Sequence, residues 1–311
     1  MNPLLRYKSS RTLVLGGSGF IGSQLANKLS DIGSNVSIFY HHKVTIPNVT
    51  DTYYGDVNDP NIIETVVKNN QFDVIFHCAG YSNHFDSRYI QNCHGKSYQL
   101  STENILNAIR KYSPKTVLVL LSSRLTYGKA HYLPVDENHP TVPTCLYGKD
   151  RLNATLVAVQ YYRLYHIPSV IINISNAYGP HPMIKDRQYN IINYFIDLAK
   201  QKRALTIFGN GMQRRDYVYI DDVVNALLLA PINQIAYGQI YNIGYGKPIA
   251  FKDMVTGIAK KGNVKINYMP WPPEYLSAET GDYYCEISKA KKQLNWKPTI
   301  SYEKGIDLCF G

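Results

Sequence analysis

Residues 11–29 read RTLVLGGSGFIGSQLANKL, and this stretch decides the fold. A short apolar run leads into glycines, and a helical pattern follows. The spacing predicts a strand over 11–16, a turn, and a helix over 20–32. Gly16, Gly19 and Gly22 recur every third residue. Gly16 permits the tight turn, Gly19 lets backbone approach a pyrophosphate, and Gly22 lets the helix pack on the sheet. The helix start at Phe20 and Ile21 then offers N–H groups and a positive dipole end to phosphate. A glycine turn with no ligand would explain the spacing, but not the strand before it and the helix after it.

Outward from this turn, short apolar runs alternate with helical patterns. Strands are predicted over 36–40, 73–78, 116–122 and 169–174, with helices over 61–69, 102–111 and 147–166. Such alternation predicts an α/β fold with a doubly wound parallel sheet. Ligands bind such a sheet beyond the carboxyl ends of its strands. After Ile174, proline and glycine thicken at 176–182, 208–211, 245–248 and 269–273. Helices over 189–201 and 220–230 and a strand over 239–243 remain. This texture predicts a smaller, irregular α/β substrate lobe. Residues 1–175 form the expected dinucleotide-binding core, with 217–246 returning to it. Residues 176–216 and 247–311 form the expected second lobe.

Composition excludes several classes. Of 311 residues, 45% are hydrophobic and 18% charged, which suits a globular core and not a disordered chain. No apolar run reaches the length of a membrane span, and the first residues do not form a secretory signal. A cytoplasmic protein with no membrane partner is expected. The formal charge of +10 suits an anionic partner. Nucleic acid, acidic lipid or a phosphorylated small molecule would fit, but the basic residues are dispersed with no long basic tract, which argues against nucleic acid. The five cysteines lack paired spacing and read as reduced thiols. His77, His84 and His94 lack metal-ligand spacing, so no metal is expected. Asp221 and Asp222 precede VVNALLLA and read as a helix N-terminal cap.

The second strand ends VSIFYHHK, with Tyr40 where an acid would hold the adenosine ribose of NAD. His41 and Lys43 could attract a 2′-phosphate, or the histidines could be plain surface residues. The cofactor reading is therefore NADP or NAD, leaning to NADP.

The ordered motifs GGSGFIG (16–22), GDVND (55–59), FHCAG (76–80), SSRLTYG (122–128), YGKDR (147–151), NAYGP (176–180), GNGMQRRDYVYIDD (209–222), YNIG (241–244) and ISKAKKQLNWKP (287–298) span nearly the whole chain. Together they resemble the extended short-chain dehydrogenase/reductase family, the nucleotide-sugar epimerases, dehydratases and reductases. The resemblance implies a Rossmann lobe for NAD(P), a lobe for a nucleoside-diphosphate sugar, and a homodimer. It places Asp56 and Val57 at the adenine and Ala79 and Gly80 beside the dinucleotide. Ser123 matches the hydroxyl that bonds the reacting sugar oxygen, and Tyr147 the proton-transferring tyrosine. Arg215 matches the arginine that grips the substrate diphosphate, while Arg124 and Asn176 fall in motifs that face the substrate.

Oxidising a sugar hydroxyl requires its proton to leave with the hydride. A tyrosine can take that proton near neutral pH only if its pKa falls from about 10 toward about 7. Members of the resembled family usually place a lysine one helical turn on, beside both tyrosine and cofactor. Here that residue is Arg151, which can supply the same field but cannot lose its proton. Lys149 faces away. Arg124 and Leu125 stand where dehydratases carry Asp-Glu, so dehydration is not expected. Glu279 stands near a second diphosphate arginine of many members, and Tyr98 near their asparagine. The expected activity is nucleotide-sugar epimerisation at C4 through a transient ketone. An NADPH-dependent 4-ketoreductase is the close alternative, and a non-catalytic cofactor- or sugar-nucleotide-binding protein a more distant one.

Overall fold

Along each central strand, alternate side chains enter two separate cores, so the strands read as continuous apolar runs. The computed structural model describes residues 3–41, 49–80, 97–180, 190–276 and 279–311. The chain runs β1 (Arg11–Leu15), α1 (Phe20–Asp31), β2 (Asn35–Tyr40), β3 (Asp51–Tyr54), α2 (Pro60–Asn70), β4 (Val74–His77), α3 (Tyr98–Tyr112), β5 (Val117–Ser123), α4 (Leu146–Tyr165) and β6 (Ser169–Ile174). It continues through β7 (Asn176–Tyr178), α5 (Ile191–Lys200), β8 (Leu205–Phe208), β9 (Arg214–Arg215), β10 (Tyr217–Tyr219), α6 (Ile220–Leu229) and β11 (Gln239–Ile243). Last come β12 (Ile249–Ala250), α7 (Phe251–Gly262), β13 (Ile266–Met269), α8 (Pro273–Leu276), α9 (Ser288–Leu294) and α10 (Tyr302–Phe310).

Seven strands form one parallel sheet in the order β11-β6-β5-β4-β1-β2-β3. The chain winds outward from β1 to β3, then restarts at β4 on the other side of β1. The doubly wound α/β sheet is therefore present, with its switch point between β1 and β4, where a crevice opens at the carboxyl ends. On one face Val14, Phe76, Val119 and Ile172 pack with Leu25, Leu29 and Leu227 of α1 and α6. On the other, Leu13, Ile75, Leu118 and Ile171 pack with Val67, Ile105 and Ala158 of α2, α3 and α4. Beyond the sheet lie three two-stranded pairs, β7 with β10, β9 with β12 and β8 with β13.

Three differences from the sequence reading matter. Helix α3 starts at Tyr98 and not near residue 102, because its first turn is capped from two sides. Ser97 Oγ accepts from Leu100 N, and the Asp150 carboxylate accepts from Tyr98 N at 2.7 Å and Gln99 N at 3.1 Å. Strand β3 was not predicted, since its residues are mostly exposed at the sheet edge. Asp221 and Asp222 are not the cap of α6. The last extended residue is Tyr219, so both aspartates already lie inside the first turn. Asp222 instead accepts from Thr299 N and Ile300 N, each at 3.0 Å, and ties the C-terminal segment to α6.

Candidate active site

The glycine turn is pressed between the ends of two strands. Gly16 has φ +79°, and a Cβ there would lie 2.6 Å from the Ala79 Cα beyond β4. Its N–H donates to the Phe39 carbonyl of β2 at 2.8 Å. A Cβ on Gly22 would strike the Gly16 carbonyl. Gly19 stands at the N-cap of helix α1 with no side-chain cap bond, and Phe20 and Ile21 begin its first turn. An uncapped helix start behind a turn with no room for side chains fits a pyrophosphate.

The other expected cofactor residues lie at the ends of the neighbouring strands β2, β3 and β4. Ala79 and Gly80 follow β4. Beyond β3, Asp56 Oδ1 accepts from Asn58 N at 2.9 Å, and Val57 packs against the core of α2 and α3. Tyr40 ends β2 with its ring 5.8 Å from that of Tyr54, on which His41 stacks in parallel at 6.4 Å. Lys43, His84, His94 and Cys93 lie outside the described residues.

Helix α4 begins directly on the turn that follows β5. A Cβ at Gly148 would strike the Leu125 carbonyl, so only glycine lets Tyr147 come this close to the Ser123–Thr126 turn. Ser123 is buried, and its Oγ accepts from Leu125 N at 3.2 Å, which leaves its own proton to donate. One turn along α4, Arg151 is buried beneath Tyr147, with its Cζ 5.1 Å from the Tyr147 ring centre. Its Nη1 donates to the Leu121 carbonyl of β5 at 2.8 Å. Lys149 is exposed.

Arg124 lies beside Asn176 and near enough to Arg215 to feel its charge. Arg124 Nε donates to Asn176 Oδ1 and its Nη1 to Thr280 Oγ1, both at 3.3 Å. Its guanidinium lies 5.2 Å from the Tyr283 ring centre. Burial, and then the charge of Arg215, push Arg124 down to about 10. Arg215 is 8% exposed and forms a salt bridge with Glu279, while its Nη1 also donates to the Arg214 and Gly281 carbonyls. Sequence reasoning did not assign Gly148, Asp150, Thr280 or the Arg215–Glu279 pair. Gly148 lies within a quoted motif, while Glu279 and Arg215 are 64 residues apart.

The remaining reactive groups are quiet. Burial, reinforced by the Arg151 charge, holds His77 well below the usual imidazole range and therefore neutral. Burial pushes the Cys78 thiol up to about 12 although Arg151 opposes it, so it stays protonated. Among the described residues, Cys78, Cys145, Cys285 and Cys309 are free, and no cluster could hold a metal ion. No described helix is long and apolar enough to cross a membrane.

The model of the NAD dependent epimerase/dehydratase family matches residues 12–244. The chain belongs to this family. It is 33% identical over 298 residues to the "Putative UDP-glucose 4-epimerase" of Methanocaldococcus jannaschii, covering 94% of this chain and 95% of that one. Human dTDP-D-glucose 4,6-dehydratase is 26% identical over 317 residues, covering 96% of this chain and 88% of the relative. The crystal structure of Thermotoga maritima UDP-glucose 4-epimerase with UDP-glucose shares the fold at a TM-score of 0.88 and 24% identity, covering 96% of both chains.

Proposed function

We propose that this family member is a nucleotide-sugar epimerase that acts at C4 through a transient ketone. The observation that carries this reading is the close packing of Gly148, next to Tyr147, on the turn that follows Ser123, with the Arg151 cation 5.1 Å from the Tyr147 ring centre. The turn at Gly16, Gly19 and Gly22, with Phe20, Ile21, Tyr40, His41, Asp56, Val57, Ala79 and Gly80 around it, would hold NADP or NAD. When bound, that group supplies the hydride acceptor and donor. Tyr147 takes the proton of the sugar hydroxyl and returns it, and Ser123 Oγ donates to the reacting oxygen. Arg151 stabilises the phenolate that Tyr147 must become. Arg124, Asn176 and Arg215 hold the nucleotide sugar, Arg215 gripping its diphosphate. The lobe of 176–216 and 247–311 closes over that substrate.

Dehydration is disfavoured because Leu125 is apolar and buried and Arg124 is a cation, so the turn after Ser123 carries no carboxylate. A one-way NADPH-dependent 4-ketoreductase is the second reading. It is favoured by Tyr40 and His41, where no carboxylate would repel a 2′-phosphate. A homodimer fits Leu156 and Leu164, which leave α4 exposed at 55% and 65%.

The test incubates the protein with a panel of sugar nucleotides and either cofactor. Mass spectrometry and NMR follow the sugar, and absorbance follows the cofactor. Epimer formation with no net cofactor consumption is expected. Stoichiometric consumption of reduced cofactor would replace the epimerase by the reductase, and no turnover with any sugar would leave only a binding protein.

A further inference from the structure

Arg151 brings its charge inside the protein with few polar partners. It is 6% exposed, and its Nε has no hydrogen-bond partner among the described residues. No salt bridge among those residues includes it. What lies beneath it is an aromatic face, with its Cζ 3.4 Å from the ring centre of Tyr98.

We propose that Tyr98 is the positioning residue of this site, holding the Arg151 guanidinium against Tyr147 by a cation–π contact that adds no opposing charge of its own. The proposal rests on the reading of Tyr147 as the proton-transferring group. A carboxylate in the place of Tyr98 would also hold Arg151, but its negative charge would offset the field felt by a phenolate. A neutral ring attracts the cation through its quadrupole and adds no net charge. Out of water, that attraction is at its strongest.

The ring is fixed on every side. Tyr98 is 5% exposed, and its hydroxyl donates to the His77 carbonyl at 2.6 Å. The His77 ring stacks on it at 4.3 Å, and His77 Nε2 is tied to Ser101 Oγ at 2.9 Å. The Asp150 carboxylate, next to Arg151 on α4, accepts from Tyr98 N at 2.7 Å and from Ser97 Oγ at 2.6 Å. The helix that carries the arginine thus also anchors the start of the helix that carries the ring. Gly80 closes the clamp, since a Cβ there would lie 2.6 Å from Arg151 Nη2. Burial holds the Tyr98 phenol above the usual tyrosine range although Arg151 opposes it, so the ring stays neutral. Among the described residues, the charged or titratable groups that bear on this cluster are His77 and Cys78 after β4, Tyr98 on α3, and Tyr147 and Asp150 on α4.

The experiment compares Tyr98→Leu with Tyr98→Phe in the full-length enzyme. Leucine removes the ring face, whereas phenylalanine keeps it and loses only the hydroxyl. If the guanidinium slackens from about 5 to about 8 Å, the rising limb of kcat against pH moves up by about one pH unit in Tyr98→Leu. At neutral pH kcat then falls about tenfold, while KM for the sugar nucleotide stays in place. Tyr98→Phe keeps the limb of the wild type.

A second readout needs no turnover. Tyrosines labelled with carbon-13 at Cζ are followed by NMR through a pH series, and Tyr147 is assigned by the signal lost in Tyr147→Phe. The midpoint of that signal moves up in Tyr98→Leu and not in Tyr98→Phe. Should Tyr98→Leu lack cooperative thermal unfolding, Tyr98→Met carries the same expectation. A folded variant without the ring whose NMR midpoint stays put overturns the proposal. If instead Tyr147→Phe remains active, the functional reading falls, and the NMR series still decides whether Tyr98 holds the cation.

Discussion

Arg151 and Arg215 are both nearly sealed from water, at 6% and 8% exposed, yet the two regions hold their arginines in opposite ways. Arg215, on β9, lies against the Glu279 carboxylate and two backbone carbonyls. Arg151, at the end of the central sheet, donates to one carbonyl, lies on the Tyr98 ring and bonds the Tyr147 side chain. The contrast separates two uses of a buried cation. A charge matched by a carboxylate projects little field, and it reaches a ligand only when the ligand competes with that carboxylate. A charge whose direct contacts are neutral keeps more of its field for a neighbouring group, here Tyr147, although the Asp150 carboxylate also acts on it. The first arrangement suits a binding contact, and the second suits support of a proton transfer.

The sharpest break of this comparison lies at Tyr147 itself. Tyr147→Phe keeps the ring beside Arg151 and removes only the phenol oxygen proposed to transfer the proton. Steady-state turnover should fall about a thousandfold, while titration with NAD or NADP gives nearly unchanged affinity. Turnover within threefold of the wild type would leave the Arg151 field with nothing to act on.

A smaller effect is expected at Arg215. Arg215→Ala removes a charge-assisted contact to the diphosphate, so KM for the sugar nucleotide should rise roughly ten- to a hundredfold, with a lesser change in kcat. An equal fall in kcat with KM unchanged would move Arg215 from binding to the chemistry and erase the contrast with Arg151. The smallest effect is expected at Glu279. Glu279→Gln removes the internal competitor, and calorimetric titration with a nucleoside diphosphate should show binding roughly threefold to tenfold tighter. Weaker binding would mean that Glu279 orients Arg215 for the ligand and does not compete with it.

The central sheet was legible because strands buried on both faces read as apolar runs; β6 and β11 match their predicted spans residue for residue. Strand β3 escaped because DTYY at the sheet edge is mostly exposed and carries no such signal. Ser123, Tyr147 and Arg151 were named by the likeness of their motifs to those of the family, and the fold brings Tyr147 and Arg151 together on α4. The partners that set their environment could not be named in that way. Tyr98 stood out in the sequence only as a missing asparagine, and its role depends on a stack between α3 and α4 that local spacing does not reveal. Glu279 likewise appeared as a lost arginine, whereas in three dimensions it is the counter-ion of Arg215. Residue types that carry the chemistry leave local patterns, while the groups that hold them arrive through tertiary packing.

The most direct measurement is the pH dependence of kcat for wild type, Arg151→Lys and Arg151→Met. A cation at about 5 Å in an effective dielectric near 20 favours a phenolate by roughly 3 kcal/mol. Methionine keeps much of the packing and removes that cation, so the rising limb should move up by roughly two pH units. Turnover at neutral pH should drop about a hundredfold and recover as the pH rises. Lysine keeps a positive charge at the position and should retain substantial turnover, with a smaller displacement of the limb. If Arg151→Met folds and keeps the activity and pH profile of the wild type, the arginine does not tune Tyr147, and the assignment of Arg151 is wrong.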